Sequence, residues 1–192
     1  EATFDGDASL RRRPMRRILD PLEKMGVSVE EAAEGGRLPI RLKGPRDLIP
    51  ITYESPVASA QIKSAVLLAG LGAPGETTLI EQEASRDHTE RMLTHFGAEV
   101  RVEPHGAHGR KVTLKGRPEL TPAPIAVPAD PCSAAFPPVA ALIVPGSDFT
   151  LTGVVPHPRR SGFFQTCHEL VPSIELHGQR VGGGERGARR RA

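Results

Sequence analysis

A repeat of roughly 70 residues constrains this chain more than any other feature. Arg41-Leu42-Lys43-Gly44 returns as Thr113-Leu114-Lys115-Gly116, and Met25-Gly26-Val27-Ser28-Val29 returns as Phe96-Gly97-Ala98-Glu99-Val100. The run from Ser59 to Gly75-Glu76-Thr77-Thr78-Leu79 is echoed by the run from Ser133 to Gly146-Ser147-Asp148-Phe149-Thr150-Leu151. Helix-period and strand-period stretches alternate between the echoes. The unit therefore runs strand, helix, strand, helix, strand, strand.

Local signals fill in that frame. Arg13-Pro14 is expected to open a helix with Met15, Ile18, Leu19, Leu22 and Met25 on one face, thinned or kinked at Pro21 and closed by Gly26. Val27 and Val29 begin a strand, Leu38, Ile40 and Leu42 alternate in a second, and a third covers about Leu48 to Tyr53. The helix that starts at Ser59 turns apolar all round after its first turns, which predicts burial on most sides. Thr77–Ile80 is a strand; Asp87 with Glu90 is expected to cap the next helix, whose apolar positions are Met92, Leu93 and Phe96. Gly97 ends it, and strands follow near Glu99–Val102 and Lys111–Leu114. The Pro-rich stretch Pro118–Pro131 marks a boundary. In the third copy Pro137-Pro138 should delay or disturb a helix start, and Pro172 replaces the closing glycine. The tail from Gly182 has no apolar period and is expected to be disordered.

Composition narrows the function classes. Charged residues make up 25% and apolar ones 38%, so a folded domain is expected. Aromatics are only 4%, which leaves Ala, Val, Leu and Ile to build the core. A net charge of +2 is low for a dedicated nucleic-acid binder, despite Arg clusters at 11–13, 16–17 and 189–191. Cys132 and Cys167 match no metal spacing and are expected to be free thiols. No apolar run is long enough for a membrane span, and no signal-peptide core opens the chain. Cytoplasm is the expected compartment.

Three helix beginnings carry residues suited to anions. Arg11-Arg12-Arg13-Pro14 combines guanidinium groups with the free N–H groups and positive dipole end of a helix start. Ser59-Ala60-Gln61 offers a hydroxyl, a small residue that lets a ligand approach the backbone, and an amide. Ser85-Arg86-Asp87-His88 offers another arginine. Taken one at a time, each has a plainer reading: a solvated basic turn, a simple N-cap, and a capped helix with an exposed Arg and a structural His88. No Ser/His/Asp set, metal cluster or phosphate-loop motif accompanies them.

In combination, these stretches resemble the 5-enolpyruvylshikimate-3-phosphate (EPSP) synthases, in particular the bacterial branch with glyphosate-tolerant members. The matching text is Gly6-Asp7-Ala8-Ser9-Leu10 running into Arg13-Pro14-Met15, then Met25-Gly26-Val27, Ala58 through Gly70, Arg86-Asp87-His88-Thr89-Glu90, and Asp130-Pro131-Cys132-Ser133-Ala134-Ala135-Phe136-Pro137. The order and spacing hold over residues 4–155. The resemblance implies an α/β (α+β) chain of repeated βαβαββ units, helices inside and sheets outside, as in an inside-out α/β barrel, here incomplete. Residues 1–128 would be the later part of one three-unit domain, 129–181 the first piece of a second, and 182–192 a basic tail.

The implied reaction joins phosphoenolpyruvate to the 5-hydroxyl of shikimate 3-phosphate and releases phosphate, with no metal or organic cofactor. Carried over position by position, Ser59, Ala60 and Gln61 resemble contacts to shikimate 3-phosphate, Arg86 another ligand of it, and Arg13 a contact to phosphoenolpyruvate and to glyphosate as inhibitor. A monomer is expected, without nucleic-acid or membrane partners. The departures are equally specific. The family's early Lys-Ser…Arg motif, its Gly-Asn-Ala-Gly-like loop and the acidic and basic residues of its second domain are absent from this sequence, so no catalytic acid or base is assigned and weak turnover is expected. Arg16 stands where the branch has Gly, Cys132 where it has Ser, and Pro138 where it has an aliphatic residue. The rival readings are a UDP-sugar enolpyruvyl transferase, whose loop Cys has no counterpart here, and a basic nucleic-acid module.

Overall fold

The computed structural model describes residues 1–154, 162–170, 175–182 and 185–191. Contacts divide the chain into two units, Glu1–Pro122 and Ala123–Ala192, and the division falls inside the Pro-rich stretch.

The first unit opens with half a repeat. Strand β1 (Ala2–Phe4) leads to a short helix α1 (Ala8–Arg11), then helix α2 (Arg16–Lys24) and strands β2 (Ser28–Ala33) and β3 (Arg37–Lys43). Asp7 starts α1, its carboxylate accepting the Leu10 N–H at 2.7 Å. The expected helix start at Arg13-Pro14 is corrected: α2 begins at Arg16, with Met15 as N-cap. Arg13 still belongs to the turn that closes α1, its N–H bonding the Leu10 carbonyl at 3.0 Å, and the Met15 N–H goes to the Gly36 carbonyl at 3.1 Å. Pro21 sits buried inside α2, where it leaves the Arg17 carbonyl without its helical donor. Leu19, Leu38 and Ile40 are buried between α2 and the sheet, with Met15, Val29 and Leu42 around them.

A complete βαβαββ unit follows: β4 (Thr52–Ser55), α3 (Ala60–Gly70), β5 (Glu76–Glu81), α4 (His88–His95), β6 (Val100–His105) and β7 (Gly109–Lys115). Its sheet order is β4-β5-β7-β6, with β4 parallel to β5 and the other pairs antiparallel. The third strand starts at Thr52 rather than Leu48, because the Ile49 N–H is committed to the Met25 carbonyl at 3.0 Å and Pro50 has no N–H to offer a ladder.

Helix α3 packs against α2, α4, β5 and β7. Ile62, Val66, Leu67 and Gly70 are buried, as the apolar run predicts; Leu68 departs from it and is 47% exposed. Two apolar clusters lie around this helix, Tyr53, Ile62, Val66 and Leu79 on one side and Leu67, Leu93, Ala98, Val112 and Leu114 on the other. Each fully buried aliphatic side chain there contributes about 1.5–3 kcal/mol. Gly26 and Gly97 close α2 and α4 in left-handed backbone, φ +96° and +88°, the conformation that ends a helix at little cost only for glycine.

The second unit repeats the plan. A 3-10 turn (Ser133–Ala135) runs into helix α5 (Phe136–Ile143), strand β8 (Thr150–Val154), helix α6 (Gly162–Leu170) and strands β9 (Glu175–Gly182) and β10 (Glu185–Arg191). Pro137 and Pro138 fall in the first turn of α5, where a missing N–H costs nothing, and the turn before it is 3-10. Pro172 lies outside the described residues. The sheet order β8-β10-β9 matches β1-β3-β2 and the β5-β7-β6 portion of the full unit. Ala129 adds a parallel bridge to Val154, in the place β4 takes beside β5.

The disordered tail is therefore corrected. Residues 185–191 form β10 between β8 and β9, the last strand of the third repeat. A central strand is held by backbone pairs on both edges, which an apolar-period search does not register.

Candidate functional site

Ser55 at the end of β4 pairs with Glu81 at the end of parallel β5. Both strands then leave the sheet at the same edge, β4 through residues 56–59 into α3 and β5 through residues 82–87 into α4. In open α/β sheets this carboxyl edge is where ligands bind, because helix N-termini converge there.

Ser59 is the N-cap of α3 in extended backbone, φ −137° and ψ 110°. Its hydroxyl accepts the Ile62 N–H at 3.5 Å, the long limit of a hydrogen bond, and so keeps capacity for another partner. Ala60 and Gln61 are the first two helical residues, whose N–H groups have no intrahelical acceptor. The Gln61 side chain is exposed. On the neighbouring connector Arg86 is half-buried, and among the described residues its guanidinium pairs with no carboxylate. That sets it apart from Arg11, Arg16, Arg41, Arg91, Arg101 and Arg117, each of which has an acidic partner. An arginine held at a helix start without a counter-ion is an anion seeker.

The structure thus brings Ser59, Ala60, Gln61 and Arg86 to one sheet edge. Arg13 comes from the preceding half-repeat, in the connector between β1 and α2 that corresponds to residues 82–87 between β5 and α4. It is exposed, and its N–H goes to the Leu10 carbonyl at 3.0 Å. The dipole argument made for it does not hold, since α2 starts three residues later; its side chain alone carries the anion case. Neighbouring Arg11 is spent on Asp5, whose carboxyl that guanidinium holds below the usual range. Arg16 lies over Gly36 and along its own helix, 3.2 Å from Asp20 and 3.5 Å from Glu23.

The expected capping box at Asp87 and Glu90 is overturned. Asp87 bonds Arg91 at 2.8 Å and makes no side-chain cap bond. Glu90 turns inward to Lys63, which also meets Glu81: the Lys63 Nζ is 2.9 Å from Glu81 Oε2 and 2.8 Å from Glu90 Oε1. Sequence reasoning missed this set. The available signal was a break in pattern, a lysine on the face of Ile62, Val66 and Leu67 and a glutamate after Leu79-Ile80. The Ser85 hydroxyl donates to Glu81 Oε1, and the Ser64 and Thr89 hydroxyls share a 2.7 Å bond.

A family model described as EPSP synthase (3-phosphoshikimate 1-carboxyvinyltransferase) matches residues 1–188. The chain belongs to the EPSP synthase family. The 3-phosphoshikimate 1-carboxyvinyltransferase of Rhodopseudomonas palustris strain HaA2 is 65% identical over 188 residues, which are 98% of this chain and 42% of that protein. The one from Afipia carboxidovorans is 68% identical over 174 residues, 91% of this chain and 39% of that protein. The solved EPSP synthase from Acinetobacter baumannii superposes with a TM-score of 0.80 at 41% identity, over 99% of this chain and 42% of that one. The enolpyruvyl transferase NikO from Streptomyces tendae, at 21% identity and a TM-score of 0.59, shares the fold. This EPSP synthase-family chain therefore spans about two fifths of the length of the curated relatives it matches, 42% of the first.

Proposed function

We propose that this chain supplies the shikimate 3-phosphate-binding part of an EPSP synthase, the enzyme that transfers enolpyruvate from phosphoenolpyruvate to the 5-hydroxyl of that sugar-like acid. The observation that carries the reading is the sheet edge that Ser59, Ala60 and Gln61 share with Arg86, whose guanidinium has no carboxylate partner among the described residues. The Ser59 hydroxyl and the free N–H groups of Ala60 and Gln61 suit phosphate and hydroxyl oxygens, and Arg86 supplies the countercharge. Arg13 is assigned to phosphoenolpyruvate, and to glyphosate as its competitor.

The transfer needs an acid to protonate the methylene carbon and a base for the attacking hydroxyl. The charged groups buried behind this edge, Lys63, Glu81 and Glu90, are committed to one another, so binding without appreciable turnover is the behaviour expected of these 192 residues alone. The same reading takes the chain as a cytoplasmic monomer that needs no cofactor. It places the crossing between the enzyme's two domains near Pro128–Pro131.

Titration with shikimate 3-phosphate, followed by amide NMR, tests the proposal. Shifts are expected at residues 59–61 and 86. Arg86→Ala should weaken binding about tenfold or more, as loss of a charge-assisted hydrogen bond costs about 1.5–3 kcal/mol. No shift at these positions with millimolar ligand sinks the assignment.

A further inference from the structure

Behind the sheet edge lies a charge cluster that the binding residues do not explain. Lys63 and Glu81 are each 1% exposed and Glu90 is 6% exposed. One ammonium faces two carboxylates, and Glu90 Oε2 is buried with no hydrogen-bond partner among the described residues. Stability does not account for this arrangement. A cation in the first turn of α3 opposes the helix dipole, and a buried ion pair is commonly no better than apolar side chains of the same volume. The surplus carboxylate makes the balance worse.

The geometry supplies another account. The three residues come from the first turn of α3, the end of β5 and the first turn of α4, the elements that carry the two connectors. Gln61 is two residues from Lys63 in the same helical turn. Glu81 reaches the other connector through Ser85, the residue before Arg86. The Ser64–Thr89 bond ties the two helices a second time. Side-chain bonds therefore join Lys63, Glu81 and Ser85, and the backbone connects this set to Gln61 at one end and Arg86 at the other.

We infer that Lys63, Glu81 and Glu90 are positioning residues that hold the Ser59–Gln61 turn and Arg86 at one spacing, a role that rests on the anion-binding reading above. None of the three touches the ligand. Burial in low dielectric makes the charge set directional and stiff, which hydroxyl contacts alone are not.

The test compares the wild-type chain with Lys63→Met/Glu81→Gln/Glu90→Gln, which removes every charge and keeps the volumes. Hydrogen exchange is read at residues 63, 84 and 91, whose amides bond the carbonyls of Ser59, His108 and Asp87. The triple variant should melt at the wild-type temperature or above. Its exchange at those three amides should be faster by about tenfold, while β6 and β7 keep their protection. Shikimate 3-phosphate should bind it about tenfold more weakly. Unchanged exchange at the three amides overturns the inference, and so does a rise spread evenly over β5, β6 and β7, which marks a structural role. Should the triple variant not fold, Ser85→Ala cuts only the link to Arg86. It should speed exchange at residue 84 and weaken binding while residue 63 is unmoved; no change at residue 84 is equally fatal. If the wild-type chain shows no binding, the functional reading fails, and the exchange data still decide whether the cluster positions the connectors.

Discussion

Lys63→Met alone isolates the energetics of the buried charges. The substitution keeps a buried stem of similar length but removes the Nζ that serves both Glu81 and Glu90. Two carboxylates with 1% and 6% exposure are then left without a cation. Breaking a buried pair by deleting one partner costs about 3–5 kcal/mol. Small domains are stable by about 5–15 kcal/mol, so the variant loses about a fifth or more of what is available. With a urea slope of about 2 kcal/mol/M, the midpoint should fall by roughly 1.5–2.5 M. Tyr53, the chain's one tyrosine beside no tryptophan, lies in β4, so its fluorescence reports the unit under test. The two glutamates should respond unequally. Glu81 uses both oxygens, on Lys63 and Ser85, and Glu81→Gln should cost about 1.5–3 kcal/mol. Glu90 uses one, and Glu90→Gln removes the surplus charge, so its cost should stay below about 1 kcal/mol. Adding Glu90→Gln to Lys63→Met should restore part of the loss. A midpoint shift for Lys63→Met under about 0.5 M, or strict additivity of the pair within about 0.5 kcal/mol, refutes the reasoning.

Two further expectations concern the core and pH. Leu67→Ala, at a site with no exposure, should cost about 2–5 kcal/mol, whereas Leu68→Ala, 47% exposed on the next position, should stay within about 0.5 kcal/mol by the same urea titration. Burial, and then the nearby Asp20 charge, raise the Tyr53 pKa above its ordinary 10.0. The unfolded chain therefore ionises first: stability should be level below pH 10.0, fall as pH rises through the folded-state value, and lose that fall in Tyr53→Phe.

Much of this fold was legible because the repeat imposes one plan three times. Gly26 and Gly97 announced helix ends that the left-handed φ values confirm. Leu38 and Ile40 alternated as a half-buried strand must. Errors arose where a residue had two possible partners. Glu90 at the third helical position suits a cap, yet Lys63 lies behind it in three dimensions, and a buried ammonium outcompetes an exposed N–H. Arg13-Pro14 suits a helix start, yet Asp7 had already opened a turn upstream. The strand at 185–191 was missed because backbone pairing to β8 and β9, not side-chain pattern, defines it. Ser59, Gln61 and Arg86 were found as separate helix beginnings. Their shared edge follows from the parallel pairing of Ser55 with Glu81, which sequence period alone does not give.

That shared edge makes a last, two-sided prediction for Arg86. The residue precedes the Asp87 N-cap of α4, where the helix presents its positive end. A cation there is unfavourable to the helix by about 0.3–1 kcal/mol, and no carboxylate among the described residues offsets it. If Arg86 serves only the fold, removing it should cost stability; if it serves an anion, removing it should cost none. Arg86→Ala is therefore expected to unfold within about 0.5 kcal/mol of wild type or to be more stable. Ligand should reverse the ranking. At a concentration 100 times its dissociation constant, shikimate 3-phosphate should stabilise the wild-type chain by about 2.7 kcal/mol, and the variant, binding tenfold more weakly, by only about 1.4 kcal/mol. A ligand-free loss above about 1 kcal/mol in Arg86→Ala, with equal ligand-induced gains in both proteins, would mean that the guanidinium holds the connector and has no part in binding.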